Sequence, residues 1–166
     1  VAVQGDLDVC DGQFEGPVTI NFTVWQGSHP EVYQETVDAF NAGPGAEKGV
    51  TVELNYIPET AYETSIVAMG ASGDLPDMLG MDGPFLYNFA WNGFLRPIDS
   101  CISDEQKAGF LGSVIQQGTY EDQLFSLGSI DSGLGLWGHK SMLEEVGARI
   151  PTGIDDAWTA EEFGQI

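Results

Sequence analysis

The chain has 166 residues, 42 % of them hydrophobic, and its 26 acidic against 5 basic residues give a formal net charge of −21. That apolar content excludes a disordered polyanion, and the length suffices for a domain with a real core. The charge disfavours nucleic acid and anionic membranes as partners, because phosphates are repelled and no basic patch can form.

The N-terminal residues are acidic, contain several glycines and show little periodicity, so we predict an extended arm over residues 1–17. Cys10 in this arm and Cys101 are the only two cysteines of the sequence. They are expected either as a disulfide or as two buried thiols. A bridge between them would close a long loop and stabilise the fold by ~4 kcal/mol in the entropic description.

Polar and apolar residues alternate strictly from residue 18 to 24, which predicts a strand with one face against a core. Ser28 is a good helix N-cap and Pro30 suits a first helical turn, so a helix should follow. Ligands of open α/β sheets bind where strands end. Trp25, at the end of this strand, is therefore a candidate ligand-binding residue.

Strands and helices are predicted to alternate through residues 18–130, which form the first α/β lobe. Such an order indicates a mainly parallel, right-handed sheet flanked by helices. Further strands are expected over residues 50–57 and 77–81, and helices from about residue 30, from 59 to about 71 and from 82 to 91. Tyr62, Ile66 and Met69 should form the inward face of the second of these helices.

The remaining sequence carries two capping boxes, at Ser103 and at Thr159, each of which predicts the start of a helix. The first opens a helical region to about residue 117. Leu134 and Leu136 alternate with glycines, which indicates a bending crossover strand near Trp137. A helix is expected from residue 140 to 146.

Asp82 and Asp131 each follow an apparent strand or crossover and are followed by a glycine within two residues. We interpret both carboxylates as facing a ligand, with helix capping or a plain surface position as the alternatives. The two histidines fix no metal-ligand spacing. The G-x-G-x-x-G pattern at residues 133–138 follows a polar turn instead of a buried strand. We therefore expect neither a metal nor a cofactor.

Six short segments follow one another in an order and at spacings that resemble the N-terminal part of extracellular solute-binding proteins of bacterial ABC importers. The resemblance is to the sugar-binding group that includes maltose-binding protein, and it covers nearly all of residues 18–166. The segments are INFTVW at 20–25, VTVE at 50–53, GDLPDM at 73–78, GFLRPID at 93–99, the crossover 133–140 and WTAEEF at 158–163.

The resemblance implies a periplasmic-binding-protein-like α/β lobe, with sugar held in a cleft between two lobes. Residues 131–166 would then be the crossover and the beginning of a second, incomplete lobe, so we expect the chain to be a fragment. The family's ligand-binding positions carry over onto Trp25, Asp82 and Asp131, with Gly83 and His29 in addition.

The expected function is capture of a carbohydrate for an ABC permease in the membrane, without catalysis, in the periplasm or at the cell surface. Two alternatives remain open: the same fold binding a cationic solute such as a quaternary amine or polyamine, and a carboxylate-dependent glycosidase. A third alternative is an acidic interaction module that binds no small ligand. A fragment with an unfinished sheet is also expected to be prone to self-association.

Overall fold

The computed structural model describes residues 16–27, 30–132 and 135–166. These divide into two compact units, one ending at Asp131 and the other comprising Ser132–Ile166. Among the described residues, no helix combines the length and the apolar character needed to cross a bilayer.

The first unit is built on a parallel sheet of three strands, as the sequence predicts. Strand β1 (Val18–Gln26) lies in the middle, between β2 (Val50–Pro58) and β3 (Met78–Leu79). The pairing of β1 with β2 runs in register along both strands, from Val18 opposite Val50 to Gln26 opposite Pro58.

The third strand is shorter and less buried than predicted. Only Met78 and Leu79 pair with β1, and Met78 is 47 % exposed. Asp77, the residue before Met78, does not pair with β1 through its backbone. Its carboxylate instead accepts a hydrogen bond from the Asn21 backbone N–H at 2.8 Å. A side chain thus replaces part of the backbone ladder at the beginning of β3.

Helices alternate with these strands. Glycines in the left-handed conformation end two of them, Gly49 at φ 70° and Gly73 at φ 80°, where a side chain would be strained. The alternation confirms the predicted α/β class. The helices are α1 (Pro30–Ala42), α2 (Pro44–Lys48), α3 (Glu59–Ser72) and α4 (Gly83–Trp91).

The predicted helical region up to residue 117 consists of two helices, because the chain leaves helical geometry after Lys107 and resumes it at Gly112. The capping box at Ser103 is present, with its hydroxyl accepting from the Gln106 N–H at 3.2 Å. A 3-10 turn and a two-stranded hairpin complete the unit. The elements are the turn Asp99–Cys101, α5 (Asp104–Lys107), α6 (Gly112–Gln117), β4 (Thr119–Tyr120) and β5 (Gln123–Leu124).

The core of the first unit forms where α3 and α4 pack beside the sheet. Tyr62, Ile66 and Phe89 are almost completely buried in it. Phe94 closes the cluster, with its ring edge-on to Phe89 at 5.6 Å between centroids. Gly70 allows this contact, since a Cβ there would lie 2.7 Å from the Phe94 ring.

The second unit consists of short elements: α7 (Lys140–Glu145), a 3-10 turn (Ile154–Asp156) and α8 (Ala160–Phe163). The prediction of a strand reaching Trp137 is wrong for residues 135–139, which adopt no regular structure. Glycines flank the apolar pair Leu136–Trp137, no partner strand pairs with it among the described residues, and the Trp137 side chain is fully exposed.

Two predictions fall partly or wholly outside the described residues. Cys101 is disulfide-bonded, but Cys10 lies outside them, so its pairing with Cys101 stays a prediction. The same holds for most of the N-terminal arm.

Candidate ligand-binding site

The carboxyl ends of the three parallel strands meet α3 and α4 at one corner of the first unit. The Gly80 N–H donates to the Thr23 carbonyl at 2.9 Å, which continues the pairing of β1 and β3. The Tyr62 hydroxyl reaches the carbonyl oxygens of Thr23, at 3.1 Å, and Gly80. Burial raises the pKa of Tyr62 to about 12, so the phenol stays neutral and serves as a donor that ties α3 to the sheet.

Trp25 lies at this corner with its indole half-buried. Its ring meets Tyr62 and Tyr33 edge-on, with centroid distances of 5.8 and 6.4 Å. Two glycines leave room for the indole: a Cβ at Gly27 would lie 3.0 Å from its Nε1, and one at Gly80 would lie 3.4 Å from its six-membered ring. Packing therefore fixes the orientation of Trp25 while part of the ring remains accessible.

A cavity of about 90 Å³ opens beside this indole. The residues that line it lie in the last positions of a strand, just after a strand or in the helix that comes next, which is where open α/β sheets bind ligands. Its walls combine three aromatic rings, two further apolar side chains and three carboxylates. These residues are Trp25, Tyr62, Phe85, Ile66, Met81, Glu59, Glu63 and Asp82.

Asp82, which the sequence predicts to face a ligand, lines the cavity, and its contact with a ligand stays a prediction. It occupies the N-cap position of α4 in extended geometry, yet its side chain makes no capping hydrogen bond. The neighbouring Gly83 allows close packing, because a Cβ there would lie 2.4 Å from the side chain of Gln117. Gly83 thus brings the end of α6 against the start of α4, and it does not itself line the cavity.

Asp131 does not line the cavity. It is exposed and accepts a hydrogen bond from the Ser113 hydroxyl. Ser113 and Gln117 share one face of α6, since they are four residues apart. Ser113, which binds Asp131, and Gln117, which packs on Gly83, are therefore separated by about one helical turn, roughly 6 Å along the axis. The helix α6 is the structural link between the two predicted aspartates.

His29 lies outside the described residues, so its place at the site stays a prediction. Within the described part of the chain, no group of three or more His, Cys, Asp or Glu residues is arranged to hold a metal ion. The sequence reasoning missed Glu59 and Glu63. Their signal was a four-residue spacing around Tyr62 at the start of the helix that follows β2, which places both acids on one helical face.

No family model matches the sequence, and no curated protein sequence matches it either. Solved structures do match. The fold resembles that of an extracellular solute-binding protein family 1 structure from Alicyclobacillus acidocaldarius, with a TM-score of 0.58, 23 % identity and 68 % of this chain covered. The sugar-binding protein MalE from Xanthomonas citri gives a TM-score of 0.56 at 24 % identity over 64 % of this chain.

An ABC substrate-binding protein from Listeria monocytogenes in complex with cycloalternan is matched over 88 % of this chain, with a TM-score of 0.57 and 16 % identity. This chain spans 28 %, 27 % and 37 % of the length of these three proteins, in the order given. At such identities the likeness establishes the fold. It confirms the predicted resemblance, namely an α/β lobe of the kind found in solute-binding proteins.

Proposed function

We propose that this chain, whose fold is that of extracellular solute-binding proteins, contributes one wall of a carbohydrate-binding cleft in the substrate-binding component of an ABC importer. The observation that carries the proposal is the cavity at the strand ends, in which the indole of Trp25 and the carboxylate of Asp82 lie together. The sugar-binding and cycloalternan-bound structures of the same fold support a carbohydrate as the ligand.

The chemistry of the cavity suits a sugar. One face of a pyranose consists of C–H groups, which pack on an indole, while its hydroxyls require hydrogen-bond acceptors. Carboxylates such as Asp82 are strong acceptors, and in a closed cleft that buries the carboxylate a missing hydroxyl would leave it unpaired, at a cost of ~1–3 kcal/mol. Trp25 would therefore supply affinity and Asp82 specificity.

In a complete two-lobed protein the ligand would touch both lobes and favour the closed state by its differential affinity for that state. The closed form would deliver its sugar to a membrane permease from the periplasm or the cell surface. Asp131, linked to the start of α4 through α6, would act at the edge of this cleft.

Binding is favoured over glycoside hydrolysis by the placement of the acids. A glycosidase needs two carboxylates whose environments push their pKa values apart, with one in an apolar setting. Glu59 and Glu63 are instead both exposed on the same helical face, and Asp82 is exposed as well. No member of this set has the setting of a general acid.

The test is titration of the 166-residue chain with maltose, maltotriose and D-mannitol, followed by saturation-transfer NMR and tryptophan fluorescence. We expect weak binding by the single wall, and at least a tenfold loss for Trp25→Ala and for Asp82→Asn. Asp82→Asn retains the shape of an exposed residue, so it separates loss of binding from loss of folding.

Trp91→Ala is the matched control, because Trp91 is 68 % exposed and does not line the cavity. Binding that survives in both site variants, or that Trp91→Ala removes equally well, would overturn the proposed site.

A further inference from the structure

The charged residues that line the cavity are all acidic. Three of its eight lining residues are acids, and none is basic. The chain has only five basic residues, all of them within its described part. Three are already engaged by nearby acids, since Lys107 pairs with Asp99, Lys140 with Glu144, and Arg149 with Asp156 and Glu162. The five are Lys48, Arg96, Lys107, Lys140 and Arg149.

We propose that the cavity selects solutes that carry a positive charge, so that an amino sugar binds in preference to the corresponding neutral sugar. The inference rests on the proposed function for the sugar part of the ligand. The preference for a cation follows separately from the acids and the aromatic rings of the cavity.

The structural roles that acids often have at helix starts do not account for this set. An acid in the first turn of a helix is stabilised by the helix dipole, which explains Glu59 at the beginning of α3. That effect fades beyond the first turn, and Glu63 lies past it. Asp82 occupies an N-cap position without making the capping hydrogen bond. No hydrogen bond or ion pair within the described residues engages these three carboxylates, so they are available to a ligand.

The aromatic rings of the cavity favour a cation as well. An ammonium group is attracted to the face of an indole or phenol ring, and the attraction grows as water is removed. Trp25 and Tyr62 are held edge-on to each other at 5.8 Å and both line the cavity, together with Phe85. A solute with one ammonium group and one C–H face would contact both the carboxylates and the aromatic rings of the cavity.

The charge of the whole chain acts in the same direction. With a net charge of −21, the protein concentrates cations near its surface and repels anions. Closing a second wall over three carboxylates would remove water from them, which is costly unless a positive charge enters with the ligand. A neutral sugar leaves that cost in place, whereas an ammonium group offsets it.

The experiment compares two matched pairs of probes on the 166-residue chain at mildly acidic pH and low salt: D-glucosamine with D-glucose, and tetramethylammonium with tert-butanol. We expect the charged member of each pair to bind about tenfold tighter or better, as attraction to partly screened carboxylates predicts. The ratio should fall towards one in concentrated sodium chloride.

The double variant Glu59→Gln/Glu63→Gln should lower both ratios severalfold, because it removes two of the three carboxylates that line the cavity. Glu53→Gln is the matched control, because Glu53 is exposed on β2 opposite Asn21, four residues before Trp25 on the neighbouring strand. This variant removes a charge that lies outside the cavity lining, so it should keep the preference for the charged probes.

The outcomes separate the two proposals. Equal binding of D-glucose and D-glucosamine would overturn the cation preference and leave the sugar-binding function standing. Binding of tetramethylammonium alone, lost in the double variant, would support the cation preference and overturn the sugar. A preference for the charged probes that is undiminished in the double variant would overturn the assignment to Glu59 and Glu63.

Discussion

The two units of the chain are stabilised in different ways. The first has an apolar core, with Ile66, Leu86 and Phe89 each only 1 % exposed. Among the described residues of the second unit none is buried. Its elements are held instead by hydrogen bonds between charged side chains. The difference predicts that mutation of apolar residues will destabilise the first unit, while acid and salt will destabilise the second.

Arg149 is the centre of the second unit. Its guanidinium contacts Asp156 and donates from Nε to Glu162 at 3.1 Å, while its carbonyl accepts from the Trp158 indole at 2.6 Å. The hydrogen bond from Arg149 lowers the pKa of Glu162 to about 2, with help from the Thr159 N–H. Hydrogen bonds from Thr152 lower the pKa of Asp156. Both acids are therefore charged at neutral pH and hold the unit together.

The largest effect is expected from Phe89→Ala. It removes a buried ring that packs on Phe94, and the cavity left behind should cost ~3–5 kcal/mol of unfolding free energy. Urea unfolding followed by circular dichroism measures it. Trp91→Ala, on the same helix but 68 % exposed, should change stability by less than ~0.5 kcal/mol. Similar losses for the two variants would mean that burial does not hold the first unit.

Gly70→Ala should have a smaller effect of the same sign. Alanine gains up to ~1 kcal/mol in helix propensity, but its Cβ would lie 2.7 Å from a ring that Phe89 keeps in place. Overpacking of this kind costs ~1–3 kcal/mol, so we expect a net loss. Gly112→Ala in α6 meets no atom within 4 Å and should be neutral or stabilising. A stabilising Gly70→Ala would show that the core yields more readily than its packing indicates.

The sequence predicted the elements whose signal is local. Alternation from Val18 to Val24 gave β1, and the capping boxes at Ser103 and Thr159 both form as predicted. The crossover near Trp137 could not be predicted in the same way, because a strand requires a partner to pair with and alternation does not supply one. The length of β3 was missed for a related reason, since the Asp77 carboxylate occupies a ladder position.

The site was partly predictable on the same grounds. Trp25 is near the end of β1 and Asp82 comes shortly after β3, and parallel topology brings strand ends together. Asp131 follows a segment outside the regular sheet, so its position depends on the tertiary contact with Ser113. Glu59 and Glu63 look like ordinary solvated acids until Trp25 and Phe85 are placed beside them. Which acids share a cavity is thus decided by packing between elements distant in sequence.

The smallest expected effect is that of low pH, which should release contacts of the second unit before it affects the first. Because the pKa of Glu162 is depressed, its contribution is present above the ordinary value of about 4.5 and is lost as pH falls towards about 2. NMR of the Trp158 indole N–H should show release over that range, more readily in high salt because the pair is exposed. Arg149→Met should release the Trp158 indole at neutral pH.

The Val24 amide serves as the control, since Val24 is fully buried in the first unit. If its resonance shifted together with that of Trp158, one cooperative unit would account for both, and the contrast between burial and charge would fail.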